Sequence, residues 1–155
     1  MLRMSRMLPN ELLREQVRKL ERLLSLLNEG EMSCCGITFT QCHALVEIGR
    51  AGTVSLSALA ERLDLDNSTT SRTVQNLVSA GIARREPDPA DRRAVVIALS
   101  PSGEALFQRV EGNMTNQFES IWNRIPDNKR EQVLESIDLL VDALHQTCCA
   151  TEEQG

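Results

Sequence analysis

Five polar side chains lie close together in one short segment, and their types suit contacts with the edges of nucleic-acid bases. Hydroxyl and amide groups hydrogen-bond to bases or phosphates, and an arginine guanidinium can bond to two atoms of a guanine in the major groove. The segment 68–85 contains three arginines and no acidic residue, although the net charge of the whole chain is −5. Local charge, and not net charge, decides whether a protein can bind nucleic acid, because affinity depends on the phosphates neutralised at the contact. The five residues are Ser68, Thr69, Ser71, Arg72 and Gln75.

A second basic feature follows about twenty residues later, where Arg92 and Arg93 stand side by side. They lie in a proline-containing loop between two predicted strands at 82–86 and 94–99. The resulting β-hairpin would present both arginines on a narrow tip, a shape that fits the minor groove of DNA. Asp91 precedes them, and its carboxylate suits a bidentate pair that would hold an arginine extended.

The elements that must position these side chains predict a helix-turn-helix. Ser55 is the expected N-cap of a helix over Leu56–Leu63, and Asp66 is the expected N-cap of a second helix at 67–80. Gly81 supplies the stop signal after the second helix. Two short helices joined by a tight turn form a helix-turn-helix, and the hairpin that follows adds a wing.

Four further helices are predicted outside this unit, at 10–28, 38–50, 101–124 and from about residue 127. Ser100 and Pro101 form a typical start for the third of them. In the first and last helices apolar residues recur every three or four positions and form one wide apolar face. Since the central unit already has enough apolar residues for its own core, burial against a second chain is the simplest use of these faces. We therefore expect a homodimer.

These elements predict a fold that is mainly α with a small β-hairpin wing. In this organisation a winged helix-turn-helix is flanked on both sides by helices that form the dimer interface. The segments are an N-terminal dimerisation helix and loop at 1–36, a DNA-binding domain at 37–100, C-terminal dimerisation helices at 101–149, and a disordered tail at 150–155.

Composition argues against several classes of protein. No apolar run approaches the roughly eighteen residues that a membrane span needs, and the N-terminal segment is broken by charges, unlike a secretory signal. A cytoplasmic protein without a membrane partner is expected. The sequence contains no nucleophile elbow, P-loop, dinucleotide fingerprint or metalloprotease motif, so an enzyme is not expected. No cofactor is expected to be needed for folding.

The pattern from helix-turn-helix to wing resembles the multiple antibiotic resistance regulator (MarR) family, and the resemblance extends over nearly the whole chain. It implies a dimeric transcription regulator, by default a repressor, whose two recognition helices bind a palindromic operator about one helical turn apart. It also implies that Arg93 is the minor-groove arginine and Asp91 its partner. The residues that match are Leu59 to Leu63, Ser68 to Arg72, Leu77, Gly81, the loop 87–93, and Leu99-Ser100-Pro101-Ser102-Gly103.

The cysteines suggest how such a regulator could respond to an effector. They are expected to be reduced in the cytosol, and no Cys-x-x-Cys pair is present. Clustered thiolates suit Cu(I) or trivalent arsenic, and the resemblance implies that the loop at 31–36 borders the effector cleft. We therefore expect a soft metal or metalloid at Cys34, Cys35 and Cys42 to release the protein from DNA. The full set of candidate ligands is Cys34, Cys35, Cys42, Cys148 and Cys149.

Several alternatives remain open at this point. One is a thiol redox switch, in which a reactive thiolate forms a disulfide with a second cysteine. Another is zinc held by Glu31, Cys34 or Cys35, and His43, and a weaker one pairs His145 with Cys149. An apolar or phenolic effector would leave the cysteines without a sensing role. Outside this class, a winged helix that binds only other proteins would keep the fold without binding DNA.

Overall fold

A computed structural model of the chain describes residues 7–152, with the side chains of all of these except 30–35 and 149–152. Within this range the protein is mainly helical with one small antiparallel sheet, which confirms the predicted fold class. None of the described helices is long and apolar enough to cross a membrane. The elements are α1 (Pro9–Cys35), α2 (Phe39–Ala51), β1 (Thr53–Ser55), α3 (Leu56–Leu63), α4 (Asn67–Ser79), β2 (Ala83–Pro87), β3 (Val95–Leu99), α5 (Pro101–Arg124), a 3-10 turn (Asp127–Lys129) and α6 (Arg130–Glu152).

The chain divides into two compact units, Met1–Glu111 and Gly112–Gly155. The division falls inside α5, whereas the sequence predicts a boundary before Pro101. The first three turns of α5 belong to the first unit because they contribute to its core through Leu106, Phe107 and Val110.

The core of the first unit is made of aliphatic side chains from α2, α3, α4 and the sheet. Leu45, Ile48, Leu59, Val74 and Leu77 are fully buried. Burial of this kind contributes about 1.5–3 kcal/mol for each large aliphatic side chain. The sheet has the order β1-β3-β2, and all its strands are antiparallel. β1 was not predicted, because three residues are too few to show an alternating pattern.

Helix starts agree with the sequence where a side-chain cap is present. Thr38 and Gln41 form a capping box at the start of α2, and Ser55 accepts a hydrogen bond from the backbone N–H of Ala58 at the start of α3. At α5 the hydroxyl of Ser100 accepts one from the N–H of Gly103. These caps satisfy N–H groups that have no partner within the helix.

Two boundaries differ from the prediction. α1 continues to Cys35, so the predicted loop at 31–36 is wrong for residues 31–35, where Gly30 is accommodated within the helix and does not end it. At the other end α6 continues to Glu152, so the predicted disordered tail is wrong for residues 150–152. The remainder of that tail, 153–155, lies outside the described residues.

The second unit is organised around the turn between α5 and α6. Arg130 donates from Nε to the carbonyl oxygen of Trp122 at 3.2 Å, and its Nη1 lies 2.6 Å from Oδ1 of Asp127. Its guanidinium carbon also lies 5.2 Å from the centroid of the Trp122 ring, within cation–π range. One arginine thus joins the end of α5 to the start of α6 across Pro126.

Candidate nucleic-acid interface

The start of α4 is fixed by Asp66. Its Oδ1 accepts the backbone N–H of Thr69 at 2.8 Å, and its Oδ2 accepts the hydroxyl of the same residue at 2.6 Å. The hydrogen bond from the Thr69 side chain, followed by that from the Thr69 backbone, lowers the pKa of the Asp66 carboxyl below its ordinary value of 3.8. The hydroxyl of Thr69, predicted as a DNA contact, therefore serves as part of the cap in the free protein.

The inner face of α4 contains two threonines whose hydroxyls are satisfied by the helix itself. Thr70 Oγ1 donates to the carbonyl oxygen of Asp66 at 2.9 Å, and Thr73 Oγ1 donates to that of Thr69 at 3.0 Å. Both threonines are buried, as are Val74 and Leu77 of the same helix. This arrangement turns the remaining polar residues of α4 away from the core.

The outer face of α4 presents the predicted contact residues. Ser68, Arg72 and Gln75 are exposed, and Ser71 is half-buried. Among the described residues no group hydrogen-bonds or ion-pairs with the guanidinium of Arg72, which leaves all its donors available. Asn76 is also exposed one turn after Arg72 and was not predicted, although its helical spacing indicates the same face.

Gln75 is held in place by two neighbours. Its Nε2 lies 3.3 Å from the hydroxyl oxygen of Ser79, and its Oε1 accepts a hydrogen bond from Nη1 of Arg85 at 3.2 Å. Arg85 was counted in the basic segment but not predicted as a site residue. Alternate residues of a strand lie on the same face, so Arg85 shares a face of β2 with the buried Ala83. This two-residue period could have indicated that Arg85 lies near the other elements of the unit.

The wing tip is built by two aspartates acting as turn formers. Asp88 Oδ1 accepts the backbone N–H of Ala90 at 2.8 Å, and Asp91 Oδ1 accepts that of Arg93 at 3.0 Å. Throughout the described part of the chain Asp91 forms no ion pair with an arginine. The bidentate pair predicted for it is therefore replaced here by a backbone contact. Arg92 and Arg93 are both exposed at the tip.

The base of the wing is tied to the start of α5. Ser100 Oγ lies 2.6 Å from the carbonyl oxygen of Gly81 and 3.0 Å from that of Ile82, and Ser102 Oγ donates to Gly81 at 2.9 Å. A Cβ on Gly103 would overlap the carbonyl oxygen of Ile82, so only glycine fits there. This contact explains the Leu-Ser-x-x-Gly pattern that ends the wing.

The predicted cysteine ligands are only partly described. Cys42 is half-buried on α2, in the first unit, and Cys148 is exposed on α6, in the second. The side chains of Cys34, Cys35 and Cys149, and that of Glu31, lie outside the described residues. The side chains that are described form no group of three histidine, cysteine or acidic residues able to hold a metal ion.

The other predicted zinc ligand, His43, is exposed on α2. Its ring packs edge-on against Phe39, with 4.3 Å between the ring centroids. Phe39 itself is 47% exposed. The described contact of His43 is therefore aromatic.

Together, the helix-turn-helix, the basic wing and the three-stranded sheet define a winged-helix DNA-binding protein. Comparison with known proteins agrees. A model of the MarR family matches residues 36–94. The multiple antibiotic resistance protein MarR of Salmonella typhimurium is 30% identical over 97 residues, which cover 58% of this chain and 67% of that protein.

Solved structures share the fold. A MarR protein from Peptoclostridium difficile superposes with a TM-score of 0.76 and 19% identity, covering 92% of both chains. The S. aureus MepR–DNA complex superposes with a TM-score of 0.71 and 19% identity, covering 84% of this chain and 96% of that one.

The chain belongs to the MarR family, as its sequence motifs predict. It is a transcriptional regulator that binds DNA, and the members of its family are regulators rather than enzymes.

Proposed function

We propose that the protein is a homodimeric, cytoplasmic repressor that binds a palindromic operator through α4 and the wing and is released by an effector. The observation that supports it most directly is the set of uncommitted cations on these two elements. No described protein group pairs with the guanidinium of Arg72, Arg92 or Arg93, although arginines elsewhere in the first unit, such as Arg50 and Arg84, have carboxylate partners. Exposed arginines without partners are available for phosphates and base edges.

The dimer is supported by apolar side chains that a single chain leaves exposed. On α6 these lie on one helical face, spaced three, four and three residues apart, and are between 43% and 52% exposed. α1 has a similar set that includes Leu13, Leu20 and Leu24. An operator with two half-sites would match a two-fold symmetric dimer. The exposed residues on that face of α6 are Leu134, Ile137, Val141 and Leu144.

The proposed DNA contacts can be tested with a duplex that the wild-type protein selects from a randomised library. Binding is followed by fluorescence anisotropy. Arg72→Ala and Arg93→Ala should each weaken binding by about tenfold. Arg124→Ala removes the same charge from an exposed site in the second unit and serves as the matched control. Equal affinities for all four proteins would contradict the proposed contacts, and a wild type that selects no DNA would favour a protein-interaction module.

For the effector we propose a soft metal or metalloid bound by Cys34, Cys35 and Cys42. The backbone supports this, because α1 ends at Cys35 and α2 begins at Phe39, so only three residues separate the helices. Cysteines near such a short link could supply the thiolates that a soft ion prefers. The ligand can release the protein only if it binds the DNA-free conformation more tightly.

The effector proposal is tested by adding arsenite or Cu(I) to the reduced protein on its selected duplex. Stoichiometric release of the wild type, with retention of the Cys34→Ser/Cys35→Ser/Cys42→Ser variant, would support it. A Cys148→Ser/Cys149→Ser variant shows whether the C-terminal thiols take part. If the wild type and both variants stay bound in the presence of arsenite or Cu(I), the cysteine proposal fails. Peroxide and phenolic compounds then become the effectors to try.

A further inference from the structure

A hydrogen bond from β2 to α4 joins Arg85 to Gln75, one of the residues predicted to contact a base. We propose that Arg85 is a positioning residue that holds the amide of Gln75 in one orientation for contact with a base pair. The inference rests on the proposed function, because it assumes that the outer face of α4 enters the major groove. It assigns to the strand of the wing a part in specificity beyond contact with the DNA backbone.

The chemistry of the partners determines which way the amide points. A guanidinium only donates hydrogen bonds, so the Gln75 atom that faces Arg85 at 3.2 Å must be the carbonyl oxygen. The NH₂ group then faces the hydroxyl of Ser79, 3.3 Å away, and donates to it. An amide rotated by half a turn would place its NH₂ against the guanidinium and lose this contact.

The held amide retains hydrogen-bonding capacity for DNA. One lone pair of Oε1 accepts a hydrogen bond from Arg85, and no described residue uses the second; Nε2 has two hydrogens and uses one for Ser79. One acceptor and one donor therefore remain, which is the pair that a glutamine uses to contact adenine. Gln75 is also exposed, so these groups are accessible.

Fixing the side chain before binding favours recognition. A glutamine has three rotatable side-chain bonds, and immobilising it on DNA costs conformational entropy. Two contacts within the protein, one on α4 and one on β2, remove much of that freedom in the unbound state. Loss of Arg85 should therefore reduce discrimination at the base pair that Gln75 contacts, and leave the other positions unchanged.

The neighbouring Arg84 offers a matched control. It lies on the opposite face of β2 and is paired with Glu86, with 3.0 Å between Nε and Oε2. Arg84→Ala and Arg85→Ala remove the same charge from adjacent positions of one strand. Only the second removes the contact with Gln75.

The experiment uses the full-length protein and the duplex selected by the wild type, together with a set of duplexes that carry each single base-pair change. Affinities are measured for wild type, Gln75→Ala, Arg85→Ala, Arg85→Lys, Arg84→Ala and the double variant Gln75→Ala/Arg85→Ala. The base pair contacted by Gln75 is the one at which Gln75→Ala loses about tenfold discrimination. At that position Arg85→Ala should lose about three- to tenfold, Arg85→Lys less, and Arg84→Ala nothing. The double variant should lose no more than Gln75→Ala alone.

Two results would overturn the proposal. If Arg85→Ala weakens binding to every duplex equally and reduces the slope of log affinity against log salt concentration by about one, Arg85 is a contact to a DNA phosphate and not a positioning residue. If Gln75→Ala changes discrimination at no position, the amide does not contact a base. In both cases the DNA-binding function stands, because the wild type has selected its duplex. A wild type that selects no common sequence would remove both proposals.

Discussion

The central part of the chain and its flanking helices use apolar residues in opposite ways. Among the side chains that the structure describes, every buried hydrophobic one lies between Ile37 and Val110, in the winged helix and the elements that support it. Most of the large hydrophobic residues that are exposed lie outside that range, on α1, the last part of α5 and α6. The two regions share one chain, yet only the central one encloses its own core.

This difference separates folding from assembly. The central region has capped helices and a buried, mainly aliphatic core, so its geometry is determined within one chain. The flanking helices α1 and α6 are longer, with 27 and 23 residues, but leave apolar faces exposed, and such faces mark sites of association. Substitutions in each region can therefore test this division.

Placing a charge on the apolar face of α6 should have the largest effect. Ile137→Glu would bury a carboxylate in the proposed dimer interface, which is costly without a partner. We expect monomers in light scattering and operator binding weakened by about a hundredfold or more, because two linked half-sites no longer act together. Gln146→Glu adds the same charge on the opposite face of α6 and should change neither property. A dimeric Ile137→Glu protein would contradict the proposed role of this face.

Two glycines of α5 should respond in opposite directions to alanine. Gly103→Ala places a methyl group against the carbonyl oxygen of Ile82 and should destabilise the protein by about 1–3 kcal/mol. A Cβ on Gly112 would meet no described atom within 4 Å outside its own stretch of helix, so Gly112→Ala should stabilise the protein by about 0.5–1 kcal/mol through helix propensity. Urea denaturation at one protein concentration measures both. Equal effects would show that packing around the two sites does not differ.

The two arginines of the wing should differ in importance. The backbone of Arg93 is held by Asp91, whereas no described side chain fixes the backbone of Arg92. Arg93→Ala should weaken operator binding by about tenfold and Arg92→Ala by less, as measured by anisotropy. Both variants should remain dimeric, in contrast to Ile137→Glu. A larger loss for Arg92→Ala would reverse the assignment of the minor-groove contact.

The smallest effect concerns the cap of α4. Because the pKa of Asp66 is lowered in the folded protein, its carboxylate adds stability above pH 3.8, and this stability is lost as the pH falls through the lowered value. Asp66→Asn retains a capping oxygen but does not titrate. The wild type should therefore be the more stable at pH 6, and the difference should shrink below pH 4. Ser55→Ala, which removes a cap that does not ionise, should show no such dependence. If the difference in stability between the wild type and Asp66→Asn stays the same from pH 6 to below pH 4, ionisation of Asp66 does not contribute to the cap.

Local signals in the sequence predicted most elements of the fold. The caps Ser55 and Asp66 and the change of period after Gly81 placed the helix-turn-helix and the wing within a few residues. Signals of this kind depend on neighbours in the sequence, so they survive without a structure. Gly30 shows where such local signals fail. A glycine is a typical stop signal, but here the helix α1 continues through it to Cys35.

Contacts between distant elements could not be predicted in the same way. The bond between Arg85 and Gln75 joins residues ten positions apart on different elements, and the fit of Gly103 against Ile82 depends on how the wing meets α5. Asp91 contacts Arg93, the partner that the family resemblance implies, but through the backbone N–H and not the guanidinium, because an N–H two residues away competes for the carboxylate. The predicted DNA-contact residues remain predictions, although most of them are exposed on α4 and the wing.

The most direct test of the central claim is to determine the composition and symmetry of the protein–DNA complex. The wild type selects duplexes from a randomised library, and light scattering gives the number of chains on the selected duplex. We predict two chains per duplex and an inverted repeat whose half-sites lie about 10–11 base pairs apart, centre to centre. A single chain per duplex at saturation, or a selected sequence without an inverted repeat, would contradict the dimeric mode of DNA binding.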